Sequence, residues 1–471
     1  MMLTTKTSRF LLLICMGMLM SCSRENFLDI QPLGRFIPNT VEDYRLLLDN
    51  VNGQPVDGQT ITQGFNEKHL LPFLVTDNIG IFEGQPVDAN LRSAYLFAPQ
   101  LYGPQQEDRA WQLYYQQIFL ANVILDGLNS VTNGTTEEIE QLRAEARLHR
   151  AFAYFQLVNI YGVHYDPSSA NSDLGVPLRL GIELENVDLT RNSVQEVYDF
   201  VTEEILSSIE ALPNTVSPNF SFRPSKAAAW GLMSKVYLFQ AQFDLALSAV
   251  SNALNLTDGL TDFNQIDAVD GVRNFPPVPQ DQEIVWFKDS PSDAILFELT
   301  LTDELLSLFD NDDLRNEWLT LLTISDDIGE RPIYNAGEDN QNFSDGINTP
   351  DLYLIRAECH ARLNNIQQAN DNLNRLRINR FATDGYAPVA INNAAALLNF
   401  IKEERRRELF KSSDRMFDIK RYNRFDNDNI TLTHEIGGDE ATLAPNSPNW
   451  AFPIGQLYIN QNPEIIQNPR E

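Results

Sequence analysis

Apolar residues return at three- and four-residue steps through most of this chain, and those steps predict long helices separated by irregular stretches. Trp111, Tyr114, Tyr115, Ile118, Phe119, Asn122, Ile124 and Leu125 place one helix at about 107–128. A second starts near Thr136, carries Leu142, Ala146, His149, Ala153 and Leu157 on one side, and stops at Gly162. The same pattern predicts helices at 193–211 with Ser193 as cap, 225–241 with Ser225 as cap after Pro224, 243–256, 350–363, 366–380 and 395–411. Strand signals are few, such as the short apolar piece from Glu283 to Phe287. The expected fold class is therefore mostly α.

Two of the predicted helix pairs fit the spacing of the tetratricopeptide repeat, a helix pair of about 34 residues. In the first, Trp230, Met233, Ser234, Tyr237, Ala246, Val250 and Ala253 fall on the template, with small residues where helices must approach closely. In the second, Tyr353, Ala357, His360, Ala369, Leu373 and Leu376 keep the same offsets. A long irregular, aromatic-bearing stretch separates the pairs, whereas simple solenoids stack without gaps. The expected architecture is a helical-repeat scaffold at about 107–256 and 350–425 with a loop-rich, ligand-binding insertion at about 257–349.

The amino terminus carries an address. Lys6 and Arg9 precede an apolar run from Phe10 to Met20 that ends at Ser21-Cys22, the pattern of a secretory signal peptide. The run is about half the ~20 residues a membrane span needs. Leu19-Met20-Ser21-Cys22 resembles the lipobox of bacterial lipoproteins, which implies removal of 1–21 and acylation of Cys22. Residues 22–471 would then form a single domain held at a membrane face by its lipid alone. Cys15 lies in the leader and Cys359 is the only other cysteine, so no disulfide framework is expected.

Charge narrows the partners. With 65 acidic against 35 basic residues the net charge is -30, and loss of Lys6 and Arg9 with the leader makes it -32 (-30 minus 2). Nucleic acid is disfavoured as a partner, because it needs clustered cations. There is no Gly-x-Ser-x-Gly elbow and no Gly-rich phosphate loop, and His434-Glu435 lacks the second His of a zinc protease. The five histidines, His69, His149, His164, His360 and His434, show no metal-ligand spacing, and no cofactor is implied. A structural calcium is conceivable at Asp310-Asn-Asp312-Asp313 or Asp426-Asn-Asp428, but neither has the Gly and distal Glu of an EF-hand loop, and solvated acidic turns are the better reading. Carboxylate pairs for glycoside hydrolysis depend on separations that sequence does not give.

Five pieces in order carry a resemblance. Glu25 to Asp29 with Pro32 follows the lipid Cys; Glu145 to Gly162 is followed by Leu174-Gly-Val-Pro-Leu178; Glu404-Arg-Arg-Arg-Glu408-Leu409 runs on to Arg415-Met-Phe-Asp418 and Arg421; Phe452-Pro-Ile454 leads to Asn460-Gln-Asn-Pro463 and Gln467-Asn-Pro469. Together they resemble the SusD/RagB outer-membrane lipoproteins of Bacteroidetes. Two departures stand out: Lys411-Ser-Ser-Asp414 replaces an aromatic-Glu-Gly-His run, and Met416 replaces a common Trp. Glu404, Arg405, Glu408 and Arg415 are expected to form charge-assisted pairs tying the last helices to their neighbours, and Arg143, Arg147 and Arg150 to be structural too.

The resemblance implies a surface-exposed, lipid-anchored, non-catalytic protein that binds an oligosaccharide and delivers it to a SusC-like TonB-dependent transporter. A peptide ligand, as in RagB-like relatives, is the alternative, and a surface glycosidase the competitor from another class. The residues themselves point to where a glycan would sit. A sugar ring has an apolar face bordered by hydroxyls, so aromatic plates among polar side chains make a cradle. The candidates are Phe82, Tyr95, Phe97 and Tyr102 in one irregular segment and Trp286, Trp318, Tyr334 and Phe343 in the other. Burial under the loop is the competing fate for each.

Overall fold

The computed structural model describes residues 38–50, 55–56, 59–60, 64–81, 87–266, 268–269, 272–273, 281–289, 299–323, 330–334, 344–410 and 412–470. For 55–56, 59–60, 268–269, 272–273, 317–323 and 330–334 this is the backbone alone. Cys22, Phe82 and Phe343 lie outside the described residues.

The first half is built on α1 (Val41–Leu48), α2 (Ala89–Tyr95), α3 (Arg109–Gly127), α4 (Thr136–Tyr161) and α5 (Val194–Ser208). Their starts are written locally. Thr135 caps α4 and Ser193 caps α5, each in a reciprocal box with the Glu three residues on, and Asp108 caps α3. α4 is the axle: from Ala144 to Tyr161 every residue except Arg147 is buried, against α3 on one side, α5 on another and α1 near its start. A helix buried all round has no solvent face, and here the buried polar positions Glu145, His149, Arg150, Gln156 and Asn159 further weaken its amphipathicity in the sequence.

The carboxyl end of α4 explains why distant motif pieces occur together. The last carbonyls of a helix have no partner within it. Here Lys420 Nζ donates to Asn159 O (2.6 Å) and Gly162 O (2.8 Å), the Phe452 amide to Ile160 O (2.9 Å), and Arg191 and Asn468 to Tyr161 O (3.0 and 2.8 Å). Asn468 also donates to Phe452 O (2.6 Å), and Asp108 receives Tyr161 Oη and the Gly455 amide (2.7 and 3.1 Å). Residues from four separate stretches thus close one helix end.

The second half holds two helix hairpins, α6 (Lys226–Phe239) with α7 (Phe243–Leu256), and α8 (Thr349–Arg362) with α9 (Ile366–Arg377). α8 packs on α7, so the hairpins are neighbours despite the long stretch between them in sequence. They share a three-residue turn whose middle residue is left-handed: Ala241 at φ 56° and Asn364 at φ 60°. Asn tolerates that region and Ala does not. Replacing Ala241 by Asn or Gly should raise stability by about 1 kcal/mol in a urea titration. Close approach also fixes Gly231, where a Cβ would lie 2.5 Å from Ile347 Cγ2.

α8 divides the core between its faces. Leu352, Tyr353, Ile355 and Cys359 join the large cluster, while Leu354, Ala357 and Ala361 meet α9 and α10 (Ala394–Glu408) in a second one. α11 (Asp414–Phe425) follows, then the hairpin β7 (Leu432–Ile436) and β8 (Asp439–Leu443), turned by Gly437-Gly438 at φ 59° and 80°. Between the helix hairpins lie the short strands β2 (Ile284–Trp286), β3 (Leu299–Leu301), β4 (Leu319–Thr323), β5 (Glu330–Tyr334) and β6 (Ile347–Asn348). β1 (Ile79–Ile81) precedes them all.

Candidate functional site

The two segments that the aromatic pattern singles out are joined in space. β1 pairs antiparallel with β3, Ile79 opposite Leu301 and Ile81 opposite Leu299. The Thr302 amide donates to Asn78 O (3.0 Å) and its hydroxyl to Asp77 O (2.7 Å). Lower down, the Lys68 amide donates to Asp289 O and the Asp289 amide to Asn66 O, both at 2.8 Å. Backbone pairing, joined by side-chain bonds such as Lys288 Nζ to Phe65 O (2.6 Å), therefore brings 64–81 against 285–289 and 299–302.

That junction is bolted to the last helices. Arg415 reaches Asp77 with two hydrogen bonds (2.8 and 2.6 Å), and Arg406 donates to Asn78 Oδ1 (2.8 Å), Asp77 O (2.9 Å) and Glu304 (2.6 Å). Burial alone would raise the Asp77 carboxyl, but the two guanidiniums outweigh it and hold it below its ordinary value. His434 on β7 completes the clamp: Nδ1 lies 2.7 Å from Tyr95 O and Nε2 3.0 Å from Thr76 O. Neither Asp77 nor His434 is among the residues the sequence pattern selects. Gly437-Gly438 is the signal that could have exposed the hairpin carrying His434.

Four of the eight candidate aromatics are core residues, which corrects the sequence reading of them as displayed plates. Trp286 has no exposed surface; its Nε1 donates to Phe222 O (3.0 Å), its ring meets His149 and Phe152 edge-on, and Lys288 Nζ sits 4.2 Å from it. Tyr95 is 4 % exposed, stacks on His434 at 4.0 Å, and burial pushes its phenol up to about 12. Phe97 lies 4.7 Å from the same imidazole, and Tyr102 sits in the large cluster. A ring enclosed on both faces has none left for a sugar. Trp318 ends a 3-10 turn (Leu314–Trp318) just before β4, and Tyr334 ends β5; their side chains are outside what is described, as are Phe82 and Phe343 altogether.

Comparison with known proteins adds the decisive observation. A family model described as starch-binding and associating with the outer membrane matches residues 62–238, and the model of the SusD family matches 349–470. The chain belongs to the SusD/RagB family. A SusD-like protein of Formosa agariphila is 22 % identical over 534 residues, covering 98 % of this chain and 97 % of that one. A SusD superfamily structure from Bacteroides thetaiotaomicron superposes with a TM-score of 0.74 at 19 % identity, over 92 % of this chain and 100 % of that chain. A surface glycan-binding protein A from Bacteroides uniformis gives 0.68 at 17 % identity, over 91 % and 99 %.

The stretches through which the chain resembles SusD proteins do structural work. Glu404, fully buried, faces Arg315 (2.7 Å), Arg407 (2.9 Å) and Arg377; Glu408 faces Arg315 (2.7 Å) and Arg380 (2.8 Å); Arg405 joins Asp351 to Asp418. Arg150 donates to Glu204 (2.7 Å) and Asn122 (2.6 Å), as a packing arginine should. The departure from the family pattern at Ser412 to Asp414 is also part of the interior: Ser413 donates to Asp345 (2.7 Å), and Asp414 meets Lys235 (2.6 Å). Met416 is buried. The acidic turns are partly consumed by cations, Asp313 by Arg315, Asp426 by Arg362 and Lys402, and Asp428 by Lys402.

Proposed function

We propose that this chain is a cell-surface, non-catalytic lipoprotein that binds an oligosaccharide and hands it to a SusC-like TonB-dependent transporter. The observation that carries the reading is membership of the SusD/RagB family, whose models match 62–238 and 349–470, joined to the pairing of the two loop segments. Two structural neighbours, a putative sugar binding protein from Bacteroides vulgatus and the surface glycan-binding protein from Bacteroides uniformis, support a glycan. The mechanism needs no covalent chemistry and no cofactor: the ligand is held by stacking and hydrogen bonds, then released when the partner takes it. With Trp286, Tyr95, Phe97 and Tyr102 enclosed, Trp318 is the first plate to test, followed by Tyr334, Phe82 and Phe343.

The test is affinity electrophoresis of the mature chain on a panel of polysaccharides, with product analysis beside it. Retardation without products is expected, and Trp318→Ala should weaken binding about ten-fold, the effect of ~1.4 kcal/mol, at an unchanged unfolding midpoint. Released sugars would instead make it an enzyme, and binding confined to peptides would favour the RagB-like alternative. Anchoring is tested separately. Cys22→Ala should abolish fatty-acid labelling and move the protein out of the membrane fraction; continued labelling would defeat the lipoprotein reading.

A further inference from the structure

A second cavity lies away from that junction, beside the closed end of α4. Its volume is about 180 Å³, and it is lined by His164, Asp166, Ser169, Asp173, Lys420, Arg424, Asn446 and Trp450 among others. His164, Lys420 and Trp450 form a buried floor, while Arg424 and Asn446 are exposed at the rim. Arg415, which binds Asp77, and Arg424 are nine residues apart on α11, so the cavity lies on the order of 13 Å along the helix from that anchor.

The floor is unsatisfied. His164 is only 8 % exposed, yet neither ring nitrogen reaches a hydrogen-bond partner, although the Phe239 backbone faces the ring. Burial, with Lys420, Arg421 and Arg424 nearby, holds this imidazole well below its ordinary value, so it is neutral, one nitrogen a donor and the other an acceptor. Asp166 Oδ1 accepts from the Ser168 amide and hydroxyl (both 2.8 Å), and Oδ2 is ion-paired with Arg424. Lys420 Nζ donates to Asn159 O and Gly162 O, and burial brings its amine down to about 7. Buried polar atoms of this kind are ordinarily paired, by protein, water or ligand.

We infer that this cavity is a second binding site, for a small neutral polyhydroxylated molecule no larger than a single sugar ring. One hydroxyl can give its proton to the acceptor nitrogen of His164, and a second can accept from the donor nitrogen. An anion would meet Asp166 and Asp173, and a cation would meet Lys420 and Arg424, so the charged lining favours neither. The volume is about six times a water molecule's share of the liquid, enough for one sugar ring. This site does not depend on the oligosaccharide reading of that junction.

The experiment is saturation-transfer NMR on the mature chain with glucose, xylose and myo-inositol as probes. A saturable signal is expected from at least one of them. His164→Phe, which keeps the ring and removes both nitrogens, should weaken it about ten-fold or more while the unfolding midpoint stays level or rises, since the unpaired atoms are gone. Arg424→Ala, at the exposed rim, is the second variant should the first not fold, and it should weaken the signal several-fold. No saturable signal from any probe means a cavity holding water only and overturns the inference; so does a signal that survives the substitution at His164, or the one at Arg424 where that variant stands in.

Discussion

Replacing Glu404 by Ala is expected to cost about 3–5 kcal/mol, the range for removing one partner from a buried ion pair. Three guanidiniums, Arg315, Arg377 and Arg407, converge on a carboxylate with no exposed surface. Arg315 keeps Asp313 and Glu408, but Arg377 has no other ion pair among the described residues. In a chain of 471 residues the unfolding entropy is so large, at ~2.1 cal/mol/K per residue, that 1 kcal/mol moves Tm by only about 1 °C. The expected fall is therefore about 3–5 °C, better resolved as a shift of the urea midpoint.

The pH dependence has a definite sign. Burial by itself would raise the Glu404 carboxyl, yet the three guanidiniums outweigh it and hold the group far below the usual carboxylate range. A depressed native value contributes stability that is present above the unfolded pKa of ~4.3 and lost as pH falls below it. Glu404→Gln should flatten the stability curve in that acid window. An unchanged acid limb would show that the cluster does not hold its proton affinity as the geometry requires.

Replacing Trp286 by Ala is the second large effect, about 3–5 kcal/mol for a core Trp. The change opens a cavity between His149 and Phe152, leaves Phe222 O without its donor, and removes the ring against which Lys288 Nζ rests. Burial, with Lys68 second, holds the Lys288 amine well below its ordinary value. The measurement separates a core residue from a ligand plate: midpoint and affinity fall together for the first, affinity alone for the second. Full stability in Trp286→Ala would return this residue to the ligand candidates.

The sequence by itself determined the long helices and their caps. Periodicity and capping act within a turn or two, so Ser193 and Ser225 cap where the pattern puts them, and Arg109–Gly127 and Phe243–Leu256 fall within a residue or two of expectation. It also carried the family, because the motif pieces keep their order even where they are far apart. Helix α11 escaped the pattern, since Arg415, Asp418, Lys420 and Arg421 are charged yet buried, and only their partners on other elements make that possible. Tertiary structure alone decided which aromatics are covered. A loop Trp reads the same whether another segment lies over it or not, and what encloses Trp286 is His149, Phe152 and Phe222, more than sixty residues away in the chain. The unpaired His164 was likewise invisible, because a missing hydrogen bond is a property of everything that packs around a side chain.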